Sequence, residues 1–518
     1  MDKLQHVSLD WALTHIEKFG DTDIFPVPFE YVAIKHGWQA VRDELCEIDL
    51  ADYNCNALRR FLVPKSSGGF RVTNQLDPFD TLIYTGMIYE AAQQLEDSRV
   101  ASSEKIACSY RLELSADGQL FRNDNGWDDF HDTSEVLSSD PNNTFVLVAD
   151  IADFYNQISH HRVRNALESA NIDPKRAQNI ENFLMELTGR QSRGLPVGPS
   201  ASILLAEACL NDVDTFLLRK GYKFTRYVDD FRIFCGSRRE AIEAMHHLSE
   251  YLNTSHRLVL ATGKTRIVPT EQFRDNYLLN PQKMEEKSKT EKISELIEYL
   301  YHMQYSVEDG IELDLEEDRQ FVIDNLTDLF EVAVNEDKLQ LGLARYLLRR
   351  SASLRTNRLH IKVIDHLDKL IPVIRDVCIY FSKTVQAKSK KKLGQDLIQF
   401  LRTSDYGGLP YVQLWITNLL ITDFSDELGS EIGLICENAQ KNLGQRPYAL
   451  LAKSAKYVDW VRTYRETWQN NSNWDKRAII WSASVLSPDE RKHWLNRVKR
   501  TDDRFDKIIA SAVLGLTP

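Results

Sequence analysis

The segment RYVDDFRIFC, Arg226 to Cys235, sets two adjacent carboxylates inside a run of strand-forming residues. Aromatic and β-branched residues flank Asp229 and Asp230 on both sides, which predicts a tight hairpin with the acids at its tip. Two acidic residues in a turn commonly have no function beyond forming the turn, with their side chains in solvent. Two carboxylates a few ångströms apart repel each other, however, unless a cation lies between them. The segment therefore predicts a site for a hard divalent cation and requires a third acid elsewhere in the chain.

That third acid follows an apolar run upstream. The segment NTFVLVADIADFYNQISHH begins at Asn143, and its residues 145–149 predict a buried strand that ends at Asp150. A carboxylate at a strand end is ordinarily a turn residue. Here the rings of Phe154 and Tyr155 follow closely, in the pattern in which a nucleotide polymerase supplies a first metal ligand and then a bulky ring.

A third segment, SRGLPVGPSASILLAEACL, begins at Ser192 and predicts a turn followed by a helix from Ser200. In chain order, the acid with its aromatic residue, Gly-Leu-Pro-x-Gly and Tyr-x-Asp-Asp resemble palm motifs A, B and C of reverse transcriptases. The later segment LVLATGKTRIV resembles motif D and carries Lys264. The ordered set identifies residues 25 to 280 as similar to the reverse transcriptase superfamily.

The resemblance implies two-metal nucleotidyl transfer. Asp150 and Asp229 are then direct ligands of two Mg²⁺ ions. Asp230 is a weaker ligand, which acts on the ions indirectly, through the groups that bind them. Mn²⁺ can substitute for Mg²⁺. One ion lowers the pKa of the attacking hydroxyl, and the other holds the triphosphate and the leaving group. Lys264 is expected to protonate the leaving pyrophosphate or stabilise its charge.

Nucleotide contacts follow from the same resemblance. The segment FLVPKSSGGFRV, from Phe61, looks like the fingers hairpin, and its glycines permit a tight turn. Tyr155 is expected to lie under the sugar and exclude a 2′-hydroxyl, which favours deoxynucleoside triphosphates, whereas Phe154 belongs to the core. The expected nucleotide-binding residues are Lys65, Arg71, Ile151, Tyr155, Pro196 and Gly198.

Length, charge, cysteine content and hydropathy limit the classes of protein to which the chain can belong. A chain of 518 residues is too long for one core and predicts at least two domains. The net charge of −12 argues against a sequence-independent nucleic-acid coat and favours a confined channel. Seven cysteines without CxxC spacing predict reduced thiols in a cytoplasm. The mean hydropathy of −0.39 and the lack of an apolar run of about 20 residues predict no membrane segment, and the N-terminus has no secretory pattern.

The pattern along the chain predicts an α+β protein with two parts. Residues 1–285 mix strand and helix signals and are interpreted as fingers and palm without an evident thumb. The charged segment NPQKMEEKSKTEK, 280–292, predicts the boundary. Residues 286–518 show apolar spacings of three and four almost throughout, which predicts an all-α, HEAT-like domain of stacked helix pairs.

Several departures from the general reverse transcriptase pattern indicate which group of the superfamily the chain resembles. Val197 stands where retroviral, retron and intron enzymes usually have glutamine. No nuclease signature follows the palm motifs. The opening of one group within the superfamily is similar to the segment that begins at Phe25, FPVPFEYVAIKHGWQAVRDEL. Together these features look like the abortive-infection (Abi) reverse-transcriptase-like polymerases of bacterial anti-phage defence, in the prophage-encoded branch. That resemblance implies homo-oligomers that polymerise DNA without a template from a tyrosine of the protein, so that the DNA product stays covalently attached.

No motif names the priming tyrosine. The chemistry requires an exposed tyrosine on a mobile segment, which Tyr406 in SDYGGLP meets through its two following glycines; Tyr411, Tyr305 and Tyr301 remain open. Two other functions also remain open. One is a templated RNA-directed DNA polymerase related to retron or intron enzymes, and the other is a non-catalytic, oligomeric phage-sensing scaffold.

Overall fold

The computed structural model describes residues 1–65, 68–123, 126–278, 326–334 and 339–515. The chain divides into two compact units. Unit 1 comprises Met1–Asp23, Leu45–Arg60 and Thr73–Ile311; unit 2 comprises Ile24–Glu44, Phe61–Val72 and Glu312–Pro518. The predicted boundary at 285/286 lies outside the described residues. Two early segments that the sequence pattern assigns to the first domain, 24–44 and 61–72, instead join unit 2.

Regular elements through residue 278 include both strands and helices. The strands are β1 (Arg59–Pro64), β2 (Phe70–Gln75), β3 (Phe145–Asp150), β4 (Lys223–Tyr227), β5 (Asp230–Cys235) and β6 (Arg266–Pro269). The helices are α1 (His6–Phe19), α2 (Glu30–His36), α3 (Trp38–Glu47), α4 (Pro78–Ser98), α5 (Trp127–Ser139), α6 (Phe154–Gln157), α7 (His160–Ser169), α8 (Pro174–Leu187), α9 (Ser200–Arg219), α10 (Arg238–Tyr251) and α11 (Thr270–Tyr277).

Unit 1 is organised around an antiparallel sheet with the strand order β4-β5-β3-β6. The predicted strand at 145–149 and the predicted hairpin are both confirmed. β3 pairs with β5 from Phe145 opposite Cys235 to Asp150 opposite Asp230, and β6 flanks its other edge. Val146, Leu147 and Ala149 of β3 are buried because the strand lies between two neighbours and packs against helix α10. Its carboxyl-terminal residue therefore emerges at the end of the sheet beside the β4–β5 turn.

Helices of unit 1 begin where the sequence supplies caps and turn residues. Asp77 accepts a hydrogen bond from the Phe79 amide at the start of α4, and Pro78 occupies its first turn. Ser237 caps α10 by accepting from the Glu240 amide. The predicted helix from Ser200 is observed as α9, which packs against α4 and α7.

Unit 2 is helical in its described residues from 326 onward. Residues 326–334 are helical, and the following helices are α12 (Leu341–Ser353), α13 (His360–Asp365), α14 (Ile374–Thr384), α15 (Ala387–Thr403), α16 (Pro410–Asp423), α17 (Ser425–Leu443), α18 (Arg446–Ser454), α19 (Val458–Tyr464), α20 (Asn473–Ser482), α21 (Pro488–Val498) and α22 (Arg504–Gly515). Successive contacts run from α12 through α14, α16, α17, α18 and α20 to α22, and α2 packs on α22. The all-α character is as predicted; a HEAT-like repeat and the lack of a thumb stay predictions.

Within the described ranges, no helix combines the length and hydrophobicity that crossing a lipid bilayer requires. The seven cysteines are free thiols, and six of them are buried.

Candidate active site

Two of the three predicted acids lie at the tip of the β4–β5 hairpin. Its turn consists of Val228 and Asp229, and Asp230 is the first residue of β5. Asp230 lies directly opposite Asp150 in the register of β3 and β5. The Ile151 amide donates to the Asp229 carbonyl at 3.2 Å and links the ends of the two strands. The structure thus gathers all three acids at one end of the sheet.

The segment that resembles motif D lies against the same strand end. The Ala261 amide donates to the Asp150 carbonyl at 2.7 Å, and the Ala152 amide donates to the Val259 carbonyl at 2.9 Å. Lys264 Nζ donates to Asp150 Oδ2 at 2.6 Å. The lysine side chain is 56% exposed whereas that of Asp150 is 7% exposed, so a buried acid is paired with a cation that solvent can reach.

The Gly-Leu-Pro-x-Gly turn packs beside the chain that follows Asp150. The Leu195 amide donates to the Tyr155 carbonyl and the Gly194 amide to the Ile158 carbonyl, each at 2.8 Å. Gly198 has φ of 125°, a conformation that favours glycine. The structure therefore brings the first two predicted motifs together.

Side chains around this turn differ in their exposure. Phe154 is buried, as predicted, and Tyr155 is half-buried with its ring edge against Phe154. Pro196 is buried as well. Ile151 is buried, and its amide is engaged by the Asp229 carbonyl.

Burial and charge repulsion together set the electrostatics of the acids. The pKa of Asp230 is raised well above its ordinary value, by burial first and then by the charges of Asp229 and Asp150. Lys264 and Arg232 oppose that shift. Arg232 lies two residues along β5, where burial lowers the pKa of its guanidinium to about 10. The site therefore disfavours a negative charge on Asp230 while no cation is bound.

These donors fit a hard divalent cation by their chemistry. Mg²⁺ prefers carboxylate oxygens, and a cation would relieve the charge repulsion that, after burial, raises the pKa of Asp230. The fit is one of donor type and charge: across the described part of the chain, no three His, Cys, Asp or Glu side chains already converge in a metal-binding arrangement.

Replacing Asp230 with asparagine should stabilise the metal-free protein. The folded-state pKa is raised, so the stability from this group is complete at acid pH and is lost as the pH rises through the raised pKa. The gain in Tm, about 2–4 °C for each kcal/mol, should therefore increase from mildly acidic to mildly alkaline pH. Calorimetry without divalent ions measures it, and a variant less stable than wild type at alkaline pH would contradict the account.

Two predicted nucleotide contacts lie in the other unit. Lys65 and Arg71 are exposed on the β1–β2 hairpin, where the Lys65 amide donates to the Gly69 carbonyl at 3.1 Å. Gly68 and Gly69 have φ of 85° and 79°, as the glycine-dependent turn requires. Both basic residues belong to unit 2, whereas the acids belong to unit 1.

The candidate tyrosines separate by burial. Tyr406 is 43% exposed, and among the described tyrosines it alone is in the exposed range. Tyr411 is buried and donates its hydroxyl to the Ile24 carbonyl at 2.9 Å, so it is a packing residue. Tyr301 and Tyr305 lie outside the described residues.

Backbone hydrogen bonds shape the turn that carries Tyr406. The Gly407 amide donates to the Ser404 carbonyl, and the Leu409 amide donates to the Tyr406 carbonyl, each at 3.0 Å. A Cβ atom at Gly407 would lie 2.4 Å from the Leu401 carbonyl oxygen. This glycine is therefore required by close packing.

The buried ionic cluster behind the acids was not predicted from the sequence. Arg226 immediately precedes Tyr-x-Asp-Asp, and its guanidinium pairs with Asp214 and Glu207 on α9. A signal was available, because two acids seven residues apart share one face of an otherwise apolar helix.

The chain was compared with protein families and with solved structures. The family model for reverse transcriptase (RNA-dependent DNA polymerase) matches residues 101–289. Among solved structures, a Candida albicans telomerase in complex with a fragment of telomeric RNA has 14% identity and a TM-score of 0.30, over 79% of this chain and 70% of that chain. An apo telomerase from Candida tropicalis has 9% identity and a TM-score of 0.32, over 78% and 73%.

A search of curated protein sequences finds no match. The family match shows that the chain contains a reverse transcriptase domain, which is a nucleotidyltransferase of the RNA-directed DNA polymerase type. The matched residues include the three acids and Lys264.

Proposed function

We propose, on the premise of the reverse transcriptase domain at residues 101–289, that the chain is a protein-primed DNA polymerase of the abortive-infection type. In this proposal it joins deoxynucleotides without a template, starting from one of its own tyrosines, and acts in bacterial anti-phage defence as a homo-oligomer in the cytoplasm. One observation supports the catalytic part of this proposal. Three carboxylates lie together at one end of the sheet, and Lys264 pairs with one of them, Asp150.

Each part of the site has a role in nucleotidyl transfer. Asp150 and Asp229 would hold two Mg²⁺ ions, or Mn²⁺, with Asp230 behind them; when bound, the ions activate the attacking hydroxyl and neutralise the triphosphate. Lys264 keeps its ammonium group in solvent reach beside Asp150, where it can donate a proton to departing pyrophosphate. Tyr155, half-buried beside the Gly-Leu-Pro-x-Gly turn, is suited to restrict the sugar.

Template independence is supported by two features of the sequence. The net charge of −12 is unfavourable for holding a long duplex, because duplex binding draws on many phosphate contacts from lysine and arginine. Val197 also replaces the glutamine usual in the turn that shapes template and nucleotide in templated enzymes. The proposed role in anti-phage defence comes from the resemblance to the Abi polymerases.

Protein priming needs a hydroxyl that solvent and a nucleotide can reach. Tyr406 meets that condition on exposure, since its side chain is 43% exposed, while Tyr411 uses its hydroxyl in packing. Tyr406 therefore stays the proposed priming residue.

The test combines labelled deoxynucleotides and Mg²⁺ with nuclease-treated protein, without primer or template. We expect label that stays on the protein in a denaturing gel and shifts after protease digestion, and peptide mapping then identifies the modified tyrosine. Tyr406→Phe should remove this label while an added DNA primer is still extended. Tyr411→Phe serves as the matched control for loss of a tyrosine hydroxyl from the adjacent helix start.

Other outcomes separate the competing functions. Incorporation only after primer and template are added would replace the protein-primed proposal with a templated polymerase. No incorporation under any condition, together with phage protection that survives Asp229→Ala with Asp230→Ala, would establish a scaffold.

A further inference from the structure

We propose that a buried cluster of five residues in unit 1 positions the catalytic hairpin and holds its turn in a strained conformation. The positioning residues are Arg99, Ser109, Glu207, Asp214 and Arg226. The inference rests on the function proposed above, because it assigns a role to residues that support Asp229 and Asp230. None of the five is part of the acid cluster itself.

The turn that they support is unusual in its backbone. Val228 has φ of 51°, in the left-handed region, where a β-branched side chain is a true outlier. Such a conformation persists only when its surroundings over-determine it, and it is concentrated at functional sites. Val228 directly precedes Asp229, so its backbone angles set the direction in which the acids leave β4.

Buried side chains engage both backbone polar groups of Val228. Its amide donates to Ser109 Oγ at 2.8 Å, and its carbonyl accepts from Arg226 Nη1 at 2.8 Å. Neither Ser109 nor Arg226 has measurable exposure. The two partners therefore hold this backbone conformation from the interior of the unit.

Arg226 is itself fixed from α9. Its Nε and Nη2 donate to the two carboxylate oxygens of Asp214 at 2.8 and 2.5 Å, and Nη1 donates to Glu207 Oε2 at 3.0 Å. This bidentate arrangement leaves the guanidinium one orientation. Burial alone would lower the pKa of Arg226, but the charges of Asp214 and Glu207 raise it above its ordinary value.

Glu207 joins the two supports of the turn. It accepts from Ser109 Oγ at 2.5 Å through one oxygen and from Arg99 Nη2 at 2.9 Å through the other. Glu207 and Asp214 are each 1% exposed and face two arginines, so the cluster is charge-balanced. The same carboxylate that orients Arg226 also orients the Ser109 hydroxyl toward Val228.

Stability alone does not explain this cluster. A buried ion pair is commonly no more stabilising than apolar residues of similar volume. Apolar residues could fill the space, but they could not accept from the Val228 amide or donate to its carbonyl. The cluster also joins the hairpin to α9, whose first residue follows the Gly-Leu-Pro-x-Gly turn. It therefore fixes the acids relative to the helix that begins just after Pro196 and Gly198, two of the proposed nucleotide contacts.

Ser109→Ala is the sharpest test, because it removes one hydroxyl and leaves all four charges in place. We expect kcat to fall about 10-fold with KM nearly unchanged. Mn²⁺ affinity, measured from the electron paramagnetic resonance of free Mn²⁺, should weaken by about 10-fold. Ser109→Thr keeps the hydroxyl and should restore both values, whereas Arg226→Gln should lower them further than Ser109→Ala.

Glu90→Gln is the matched control for a lost ionic contact in the same unit. Glu90 accepts from Arg176 and from the Ser8 hydroxyl and has no contact with the turn. It should lower the Tm of the protein without changing kcat or Mn²⁺ affinity. Wild-type kcat and Mn²⁺ affinity in Ser109→Ala, or equal losses in Glu90→Gln, would overturn the inference. If the wild-type protein proves inactive, the proposed function fails, and Mn²⁺ affinity still tests the positioning role.

Discussion

Replacing Asp150 with asparagine should reduce nucleotide incorporation by about 10³-fold, as expected when a preorganised charge is removed from a reacting centre. The side chain keeps its size, but it loses the charge that faces Asp230 and pairs with Lys264. Folding should be retained, because removing one of three repelling carboxylates relieves repulsion. Incorporation of labelled deoxynucleotides with Mg²⁺ measures the activity, and a thermal unfolding scan measures folding.

Asp153→Asn provides the matched control, with the same substitution three residues further along the chain. Asp153 is exposed, has φ of 51°, and accepts from the side-chain amides of Asn156 and Gln157. Asparagine tolerates this left-handed conformation, so activity should stay near the wild-type level. Comparable activity in Asp150→Asn and Asp153→Asn would remove Asp150 from the catalytic site.

The sequence was sufficient for the acid cluster because local patterns decide it. An apolar run that ends at Asp150 makes a strand, and strand-forming residues around Asp229 and Asp230 make a hairpin. Once both elements share one antiparallel sheet, register brings Asp150 opposite Asp230. Lys264 was expected from the resemblance of its segment to motif D, and the structure places its ammonium group on Asp150.

Long-range contacts were not accessible from the sequence. The burial of Tyr411 depends on a hydrogen bond to Ile24, 387 residues away in the chain, so its local sequence could not distinguish it from Tyr406. The membership of residues 24–44 in unit 2 has the same cause, since α2 packs on the distant α22. Arg226 lies in β4, but its ionic partners lie on α9, so the local pattern around Arg226 does not show the pairing.

The largest stability effect is expected at the ion pair that ties this early segment to the C-terminal helices of unit 2. Arg446 donates to both oxygens of Glu30 at 2.6 and 2.7 Å, and Glu30 is completely buried. The guanidinium also lies 4.6 Å from the Phe29 ring centre and 5.1 Å from that of Trp474. Removing one partner leaves a buried charge uncompensated, which costs about 3–5 kcal/mol.

Glu30→Ala should therefore lower the free energy of unfolding of unit 2 by about 3–5 kcal/mol, measured by urea denaturation with tryptophan fluorescence. The control, Glu44→Ala, removes a partner of Arg504 from the same segment, but this pair is 45% and 43% exposed. Because solvent screens exposed charges, its loss should cost less than about 1 kcal/mol. Equal losses in the two variants would mean that the buried pair contributes no more than a surface contact. A loss confined to Glu30→Ala would instead establish that residues 24–44 are an integral part of unit 2.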